Sequence, residues 1–270
     1  MIKINDEVIE LKYFPDSTFA TKYNITDELL LSGNVNIKWL YEEDSELVMI
    51  IFLVKHLRNK GIKDIDLYMP YIPNARLDRV KSTEDIFTLK YFAEVINDLE
   101  FRSVKVLDPH SYVSEALIDR IIIETPDALI AKALEDITNQ NNNSNIVLFY
   151  PDEGAMKRYS GRFDNPFAFG IKKRDWKTGN ILGLDVAGEV DLIKDRDILI
   201  VDDICSRGGT FYHSAKKLKE LGADKVYLYI SHCENTILKG DVLDSGLIER
   251  VYTTNSIFRE SNEKIKVTEL

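Results

Sequence analysis

Short apolar runs alternate with stretches of helical periodicity in the first half of the chain. Residues 65–69 and 103–107 have the pattern of strands, whereas residues 88–99 between them repeat apolar side chains at helical spacing. A strand, a helix and a second strand at this spacing predict a βαβ unit with parallel strands.

The second half repeats the same alternation. Residues 145–150 and 197–201 are predicted strands, residues 211–221 a predicted helix that stops at a glycine, and residues 225–230 a further strand. Both halves therefore predict an α/β fold with mainly parallel sheets flanked by helices. In such sheets ligands bind beyond the carboxyl ends of the strands, and we expect the chemistry there.

A polar stretch separates the two halves. Residues 138–145 read TNQNNNSN and contain almost no core-forming side chain. The stretch is either a surface loop or a connection between domains. The second interpretation predicts an N-terminal domain at 1–138, a linker at 139–145 and a C-terminal domain at 146–270, each near the lower end of ordinary domain size.

The composition argues against several classes of protein. Hydrophobic residues make up 44% of the chain and charged residues 30%, which is typical of a globular protein rather than a disordered one. The formal charge of -10 argues against general nucleic-acid binding, because phosphate backbones attract basic surfaces. The longest apolar run, at 47–54, is far shorter than the ~20 residues that cross a bilayer.

The N-terminus and the cysteines indicate the compartment. Residues 1–10 carry acids and have no apolar core, so no signal peptide is expected. Cys205 and Cys233 are the two cysteines, and such a pair fits a reducing cytosol better than a disulfide scaffold. We therefore expect a cytoplasmic protein without nucleic-acid or membrane partners.

The most informative segment is residues 198–210, ILIVDDICSRGGT. An apolar strand leads into Asp202 and Asp203, then into a loop with two glycines, and a helix is predicted to begin at Thr210. Glycines let a backbone approach an anion closely, and the unpaired N–H groups and dipole of a helix N-terminus favour a phosphate. The hydroxyls of Ser206 and Thr210 can add donors.

Two adjacent acids at a strand end project to opposite faces and can reach different hydroxyls of one ribose. Like charges ~4 Å apart repel by about 4 kcal/mol at an effective dielectric of 20. A diol, a metal ion or a cationic substrate centre would relieve that repulsion. A strand-to-helix turn with an acidic N-cap is the alternative interpretation.

The segment resembles the ribose-phosphate binding motif of the type I phosphoribosyltransferase fold, which PRPP synthetases share. The resemblance implies that Asp202 and Asp203 hold the ribose hydroxyls. It also implies a cradle for the 5′-phosphate, formed by Ser206, Arg207, Gly208, Gly209 and Thr210.

Two segments of the first half resemble parts of the PRPP synthetase ATP site. Residues 70–79, PYIPNARLDR, are similar to the family's PYxxxARQDR, which implies that Arg76, Asp78 and Arg79 contact ATP. The planar fork of arginine suits phosphate oxygens and also stacks on rings. The following VLDPHS is similar to a strand-end DLH segment, which implies that His110 approaches the ATP phosphates and Mg²⁺. A solvated basic loop and a structural histidine are the alternatives.

Two shorter resemblances add candidates. The string YPDEGAMKR at 150–158 is similar to the family's SPDxGGxxRA, which makes Asp152 a candidate metal ligand at the rim of the site. The string FPD at 14–16 is similar to the family's FSDGE, whose aromatic residue stacks on adenine. It implies an ATP contact for Phe14 and Asp16, and a place for Phe14 in the core is the alternative.

The candidate catalytic residues lie in a basic segment. Residues 170–181, GIKKRDWKTGNI, resemble the family's DKRR and its mobile catalytic loop. Lys173 takes the position of the catalytic lysine and Arg174 that of the following arginine. A solvated charged loop is the alternative.

These segments follow one another in family order, and the chain is identified as a compact, phage-like member of the PRPP synthetase family. The resemblance implies two tandem phosphoribosyltransferase-like domains and a homo-oligomer. It implies transfer of the β,γ-diphosphate of ATP to the anomeric hydroxyl of ribose 5-phosphate, giving PRPP and AMP for nucleotide or NAD biosynthesis. Mg²⁺ would bridge the phosphates.

Departures from the family pattern leave alternatives open. Ser206 replaces an aspartate and Arg207 a small residue, so the loop loses a negative and gains a positive charge. That change also suits a larger, more anionic acceptor, ADP-ribose, as in phage NAD salvage. Leu77 replaces a glutamine and Asp175 a second catalytic arginine, which keeps a non-catalytic regulatory homologue open. A phosphoribosyltransferase that consumes PRPP is the other alternative.

Overall fold

In the computed structural model the chain separates into two compact units, Met1–Thr125 and Pro126–Leu270. The structure describes residues 1–141, 145–174 and 181–270. We call the two parts unit 1 and unit 2. Each has its own sheet and its own buried apolar clusters.

Unit 1 is built on a six-stranded sheet with helices packed against it. Its strands are β1 (Ile2–Ile4), β2 (Glu7–Val8), β3 (Lys12–Tyr13), β4 (Phe19–Ala20), β5 (Asn34–Trp39), β6 (Asp64–Tyr68), β7 (Ser103–Leu107) and β8 (Ile121–Glu124). Its helices are α1 (Asp27–Ser32), α2 (Ser45–Asn59), α3 (Thr88–Asp98) and α4 (Tyr112–Leu117).

The sheet order of unit 1 is β2-β1-β5-β6-β7-β8, and β3 and β4 form a separate hairpin. Strands β5 to β8 run parallel, and β1 joins β5 antiparallel. Helix α3 buries Leu89, Phe92, Ala93 and Ile96, whose spacing places them on one helix face. That face and the inward side chains of β5 pack into the same core.

Unit 2 is built on a seven-stranded sheet. Its strands are β9 (Ile146–Tyr150), β10 (Phe167–Arg174), β11 (Ile181–Gly188), β12 (Asp197–Cys205), β13 (Val226–Cys233), β14 (Arg250–Thr254) and β15 (Ile265–Thr268). Its helices are α5 (Asp127–Asn141), α6 (Glu153–Tyr159), α7 (Gly209–Glu220) and α8 (Asp241–Asp244), with short 3₁₀ turns at Val190–Leu192 and Asn235–Lys239.

The sheet order of unit 2 is β11-β10-β9-β12-β13-β14-β15, and among the described strand pairs only β10–β11 is antiparallel. Strands β9 and β13 are buried along their whole length, as expected for parallel strands covered on both faces. On one face, Ile198 and Ile200 of β12 pack with α7. On the other, Leu199 and Val201 pack with α5 and α6. The predicted α/β class is therefore confirmed.

The predicted strands and helices are present, with one difference that affects the site. The strand predicted at 197–201 continues to Cys205, because its parallel pairing with β13 continues through Ile204↔His232 and Cys205↔Cys233. The thiols of Cys205 and Cys233 are buried and are not joined in a disulfide. Within the described ranges, no helix is long and apolar enough to span a bilayer.

The boundary between the units differs from the predicted linker at 139–145. Helix α5 extends through Asn141 and belongs to unit 2, where Ile130, Ala133 and Ile137 are buried. The polar end of α5 has a structural use: Asn141 Nδ2 donates to Asp197 Oδ2 at 2.9 Å and to the Tyr227 hydroxyl oxygen at 2.8 Å. The predicted linker residues 142–144 lie outside the described residues.

Candidate active site

Asp202 and Asp203 lie within the last part of β12 rather than beyond its end. Asp203 is 3% exposed, whereas Asp202 is partly exposed. The N–H of Asp203 donates to Oδ1 of Asp202 at 3.0 Å, so the Asp202 carboxylate lies beside the following peptide. The two acids therefore differ in environment: Asp202 is partly buried and Asp203 is almost completely buried.

A third acid, Asp152, follows β9 at the same edge of the sheet, because β9 and β12 are paired in parallel. Its Oδ1 accepts from the N–H of Ala155 at 3.1 Å and so caps α6. Burial, together with the nearby Asp203 and Asp152 carboxylates, raises the pKa of Asp202 well above its ordinary value. A bound cation or hydroxyl donors would stabilise the ionised form of Asp202.

Arg158 brings positive charge to this acidic edge. Its Nη1 lies 3.2 Å from Oδ1 of Asp203, and the two side chains are 19% and 5% exposed. The guanidinium carbon lies 5.7 Å from the ring centroid of Tyr159. Sequence reasoning missed Arg158 as a site residue, although the string YPDEGAMKR contains it.

The chain turns from β12 into α7 through residues 206–208. Gly208 has φ of +82°, a conformation that favours glycine, and a Cβ there would lie 2.6 Å from Cγ1 of Val242. Helix α7 begins at Gly209, one residue before its predicted start at Thr210. The N–H groups of its first turn have no partner within the helix, which makes this turn a place for an anion.

The Ser206 hydroxyl is engaged in a chain of hydrogen bonds. Its Oγ lies 3.2 Å from Oγ1 of Thr236, and Thr236 donates to Oε2 of Glu234 at 2.9 Å. Because the proton of Thr236 goes to Glu234, Ser206 donates to Thr236 and keeps its lone pairs for a ligand. The place of Ser206 in the phosphate cradle stays a prediction.

Arg207 is exposed in the same turn. Gly240 packs against its backbone so closely that a Cβ on Gly240 would lie 1.9 Å from the Arg207 carbonyl oxygen. Together with Val242 against Gly208, this contact fixes the turn from the side of α8.

The segment of unit 1 that resembles an ATP site forms a cavity of about 660 Å³. Four predicted residues meet there, namely Arg76, Asp78, Arg79 and His110. Arg76 and Arg79 are exposed, whereas Asp78 is 6% exposed. The cavity therefore combines cationic side chains with a carboxylate in its wall. Leu77, which stands where the family has glutamine, also lines it.

Asp78 organises this cavity. Its two carboxylate oxygens accept from Nε and Nη2 of Arg79 at 2.7 and 3.0 Å. The hydrogen bond from Arg79, which outweighs burial, and a further one from Ser111 lower the pKa of Asp78, with the charge of His110 acting in the same direction. The ionised Asp78 holds the fork of Arg79 in one orientation.

Phe14 and Asp16 do not line that cavity. They lie in the turn of the β3–β4 hairpin, where Asp16 Oδ1 accepts from the N–H and hydroxyl of Thr18 at 3.0 and 2.7 Å. Phe14 is 56% exposed, which excludes the alternative of a place in the core. Its contact with ATP stays a prediction.

The candidate catalytic residues lie at the end of β10. The backbones of Lys173 and Arg174 pair with Gly183 and Ile181 of β11, with a register shift between them. Their side chains, and all of Asp175, lie outside the described residues. The catalytic assignment therefore stays a prediction.

Magnesium is implied by the family resemblance. Within residues 1–141, 145–174 and 181–270, no group of three or more His, Cys, Asp or Glu side chains is arranged to hold a metal ion. Mg²⁺ keeps several waters and combines one or two carboxylates with substrate phosphates, so it needs no such cluster. Asp152 and Asp202, both partly exposed, are oxygen donors of that kind, and this edge of the sheet fits the ion.

Comparisons with known proteins agree with this geometry. The ribose-phosphate pyrophosphokinase of Sulfolobus acidocaldarius is 27% identical over 262 residues, 94% of this chain and 86% of that protein. The enzyme of that name from Thermococcus kodakarensis is 25% identical over 246 residues, 90% of this chain and 81% of its own length.

A solved structure shows the same fold. The phosphoribosylpyrophosphate synthetase of Mycobacterium smegmatis aligns with a TM-score of 0.77 and 18% identity, over 97% of this chain and 86% of that one. No protein-family model matches the chain. From the extent of the sequence similarity and the shared fold, the chain belongs to the ribose-phosphate pyrophosphokinase (PRPP synthetase) family, with the type I phosphoribosyltransferase fold.

Proposed function

We propose that this protein transfers the β,γ-diphosphate of ATP to the anomeric hydroxyl of ribose 5-phosphate, giving PRPP and AMP. The observation that carries the proposal is the end of β12, where Asp202 and Asp203 lead directly into a turn at Gly208 and the N-terminus of α7. Acids followed by a glycine turn and a helix start suit a sugar diol joined to a phosphate.

In this proposal unit 2 binds the sugar phosphate. Asp202 and Asp203 accept hydrogen bonds from the ribose hydroxyls, and the 5′-phosphate lies against the first turn of α7 with Gly209 and Thr210. A Cβ on Gly209 would meet nothing within 4 Å, so the space above that turn is open. Ser206 and Arg207 line the same turn.

ATP binds in unit 1 in this proposal. Arg76 and Arg79 contact its phosphates or adenine from the cavity that Asp78 organises, and His110 lies in the same cavity. Phe14 and Asp16 add contacts through the exposed hairpin. The candidate Mg²⁺ ligands are His110 in unit 1 and, separately, Asp152 in unit 2, and Mg²⁺ bound at either residue would neutralise charge on the phosphates.

The chemical step needs positioning and charge stabilisation rather than covalent catalysis. We assign Lys173 and Arg174 to the charge that develops on the transferred diphosphate, because their positions match the family's basic segment. Asp175, in place of an arginine, leaves those two residues to carry that role.

A second acceptor, ADP-ribose, is favoured by one observation. Arg207 is exposed beside the helix N-terminus that would hold the 5′-phosphate, so its charge is available to a further phosphate group. The same chemistry at the anomeric hydroxyl would then give ADP-ribose pyrophosphate.

Release of AMP tests these assignments. The purified protein is incubated with ATP and Mg²⁺ and with ribose 5-phosphate, ADP-ribose or neither. AMP that appears only with ribose 5-phosphate supports the proposal, and AMP only with ADP-ribose supports the second acceptor. No AMP with either sugar contradicts both and favours a phosphoribosyltransferase or a regulatory homologue.

The same assay tests Lys173. Lys173→Ala should lower kcat by about 100-fold or more, because its charge acts mainly in the transition state. Lys172→Ala is the matched control, because it removes the same charge from the neighbouring lysine, to which no catalytic role is assigned. An unchanged kcat in Lys173→Ala would refute the role.

A further inference from the structure

The fold holds Arg158 in one place. It lies in the last turn of α6, and its guanidinium is over the ring of Tyr159. Tyr159 is fully buried and stacks on Tyr150 with ring centroids 6.1 Å apart. An arginine on a surface helix is ordinarily mobile, but here packing on the ring restricts the side chain.

The partner of Arg158 is the more buried acid of the pair. Asp203 is almost completely removed from solvent, and Nη1 of Arg158 lies 3.2 Å from its Oδ1. A carboxylate buried at this depth stays charged only with a cation or several donors nearby. The contact therefore places a compensating positive charge beside Asp203 and restrains the orientation of its carboxylate.

The backbone links Asp203 to Asp202. The N–H of Asp203 donates to Oδ1 of Asp202, so the position of one acid in the strand affects the other. The charged side chains that act on Asp202 include Asp203 and, from the cap of α6, Asp152. Without Arg158, three carboxylates would share this edge with less compensation.

We propose that Arg158 is a positioning residue of the sugar site, which holds the Asp203 carboxylate oriented so that both acids of β12 accept hydrogen bonds from the ribose hydroxyls. The inference rests on the proposed function, because it takes the sugar as the ligand of these acids. Arg158 acts through Asp203 and does not itself touch the substrate.

A purely structural ion pair would behave differently. Its loss would weaken unit 2 as a whole and lower the active fraction, which lowers the apparent kcat and leaves the KM for each ligand unchanged. A positioning role instead makes the loss specific for the sugar. The two roles are separated by comparing the KM values for the sugar and for ATP.

The experiment compares Arg158→Met and Arg158→Lys with a matched control, Arg162→Met. Arg162 forms another arginine–aspartate pair of unit 2, with Asp127 at 3.1 Å. Arg158→Met should raise the sugar KM by about tenfold, the scale of one charge-assisted hydrogen bond between a ribose hydroxyl and Asp203. The KM for ATP should stay within about twofold. Arg158→Lys should recover part of the loss, because it keeps the charge without the fork.

Several results would overturn the proposal. These are an unchanged sugar KM in Arg158→Met, equal rises in both KM values, or an equally large rise in Arg162→Met. An Arg158→Lys variant no better than Arg158→Met counts in the same way.

A double variant tests whether Arg158 acts through Asp203. In the Asp203→Asn background, Arg158→Met should change the sugar KM by less than about twofold, because the group it orients is no longer a carboxylate. If the fold-changes in sugar KM of the two single variants multiply in the double variant, Arg158 acts independently of Asp203 and the inference is overturned.

A separate binding experiment distinguishes failure of the proposed function from failure of the positioning role. If the wild-type protein releases no AMP with any sugar phosphate, calorimetry with ribose 5-phosphate alone replaces the kinetic assay. A Kd that rises in Arg158→Met but not in Arg162→Met still supports the positioning role. The positioning role is overturned if the wild type, Arg158→Met and Arg162→Met bind ribose 5-phosphate equally, or if the wild type does not bind it.

Discussion

Gly208 and Gly209 are neighbours of the same type but are glycine for different reasons. Gly208 combines a positive φ with a Cβ position that Val242 already occupies. Gly209 begins α7 and has open space where a Cβ would be. The sequence motif does not distinguish them, because the difference depends on α8, more than thirty residues further along the chain.

The pair provides a prediction about stability. Gly208→Ala should lower the free energy of unfolding by about 2–4 kcal/mol, since a left-handed Ala costs roughly 1–2 kcal/mol and overpacking against Val242 adds a similar amount. Gly209→Ala should change it by less than about 0.5 kcal/mol. Urea unfolding followed by circular dichroism measures both, and equal effects of the two substitutions would contradict the explanation.

Contacts between side chains that are far apart in the sequence could not be predicted either. The residue types at Asp202, Asp203, Arg76 and His110 could be assigned to a site because they stand in recognisable strings. The contact between Arg158 and Asp203 could not be assigned, since it exists only because α6 packs on β12. The hydrogen bond between the hydroxyls of Ser206 and Thr236, thirty residues apart, could not be assigned either.

The periodicity of apolar residues predicts which helices and strands are present better than it predicts where they end. The apolar run predicts that strand β12 ends at Val201, before its two acids. It continues because β13 supplies backbone partners up to Cys233. The predicted linker includes the last residues of α5, because Asn and Gln at that end give no apolar signal. The side chain of Asn141 nevertheless donates hydrogen bonds to residues of two strands, Asp197 and Tyr227.

Another polar residue of α5 joins the helix to the edge of the sheet. Asp136 accepts from Lys266 Nζ at 2.7 Å and from the Tyr252 hydroxyl at 2.8 Å. Burial alone would raise the pKa of Asp136, but these bonds and the charge of Arg250 lower it below the ordinary 3.8. The contribution of Asp136 to stability is therefore complete above that ordinary value and is lost as the pH falls through the lowered one.

Asp136→Asn should accordingly destabilise unit 2 by about 1–2 kcal/mol at pH 7, because the lost charge weakens both bonds. The difference from wild type should shrink as the pH is lowered below 3.8, the ordinary carboxyl value. Urea unfolding at pH 7 and at acidic pH measures it, with Asp164→Asn, at an exposed position, as the control. A difference that does not depend on pH would contradict the linkage.

For the whole molecule, the sequence predicted two α/β parts correctly but placed the boundary too late. The polar stretch at 138–145 is the most conspicuous break in the pattern, yet the compact units separate at Thr125 and Pro126. Burial explains the difference. The apolar face of α5 lies in a cluster with Leu148 and Leu199, so the helix is needed to cover one face of the unit 2 sheet.

This boundary predicts which fragments fold. Residues 126–270 should fold cooperatively alone, because they contain both apolar clusters of their sheet, whereas residues 146–270 should not, because removing α5 exposes the face around Leu199. Residues 1–125 and 1–138 are the matching pair, and the longer one carries most of α5 without the sheet it covers and should associate more readily. Circular dichroism with urea unfolding and size-exclusion chromatography compare the four fragments. If 146–270 were as stable as 126–270, α5 would not belong to the core of unit 2, and the boundary would have to move to the polar stretch.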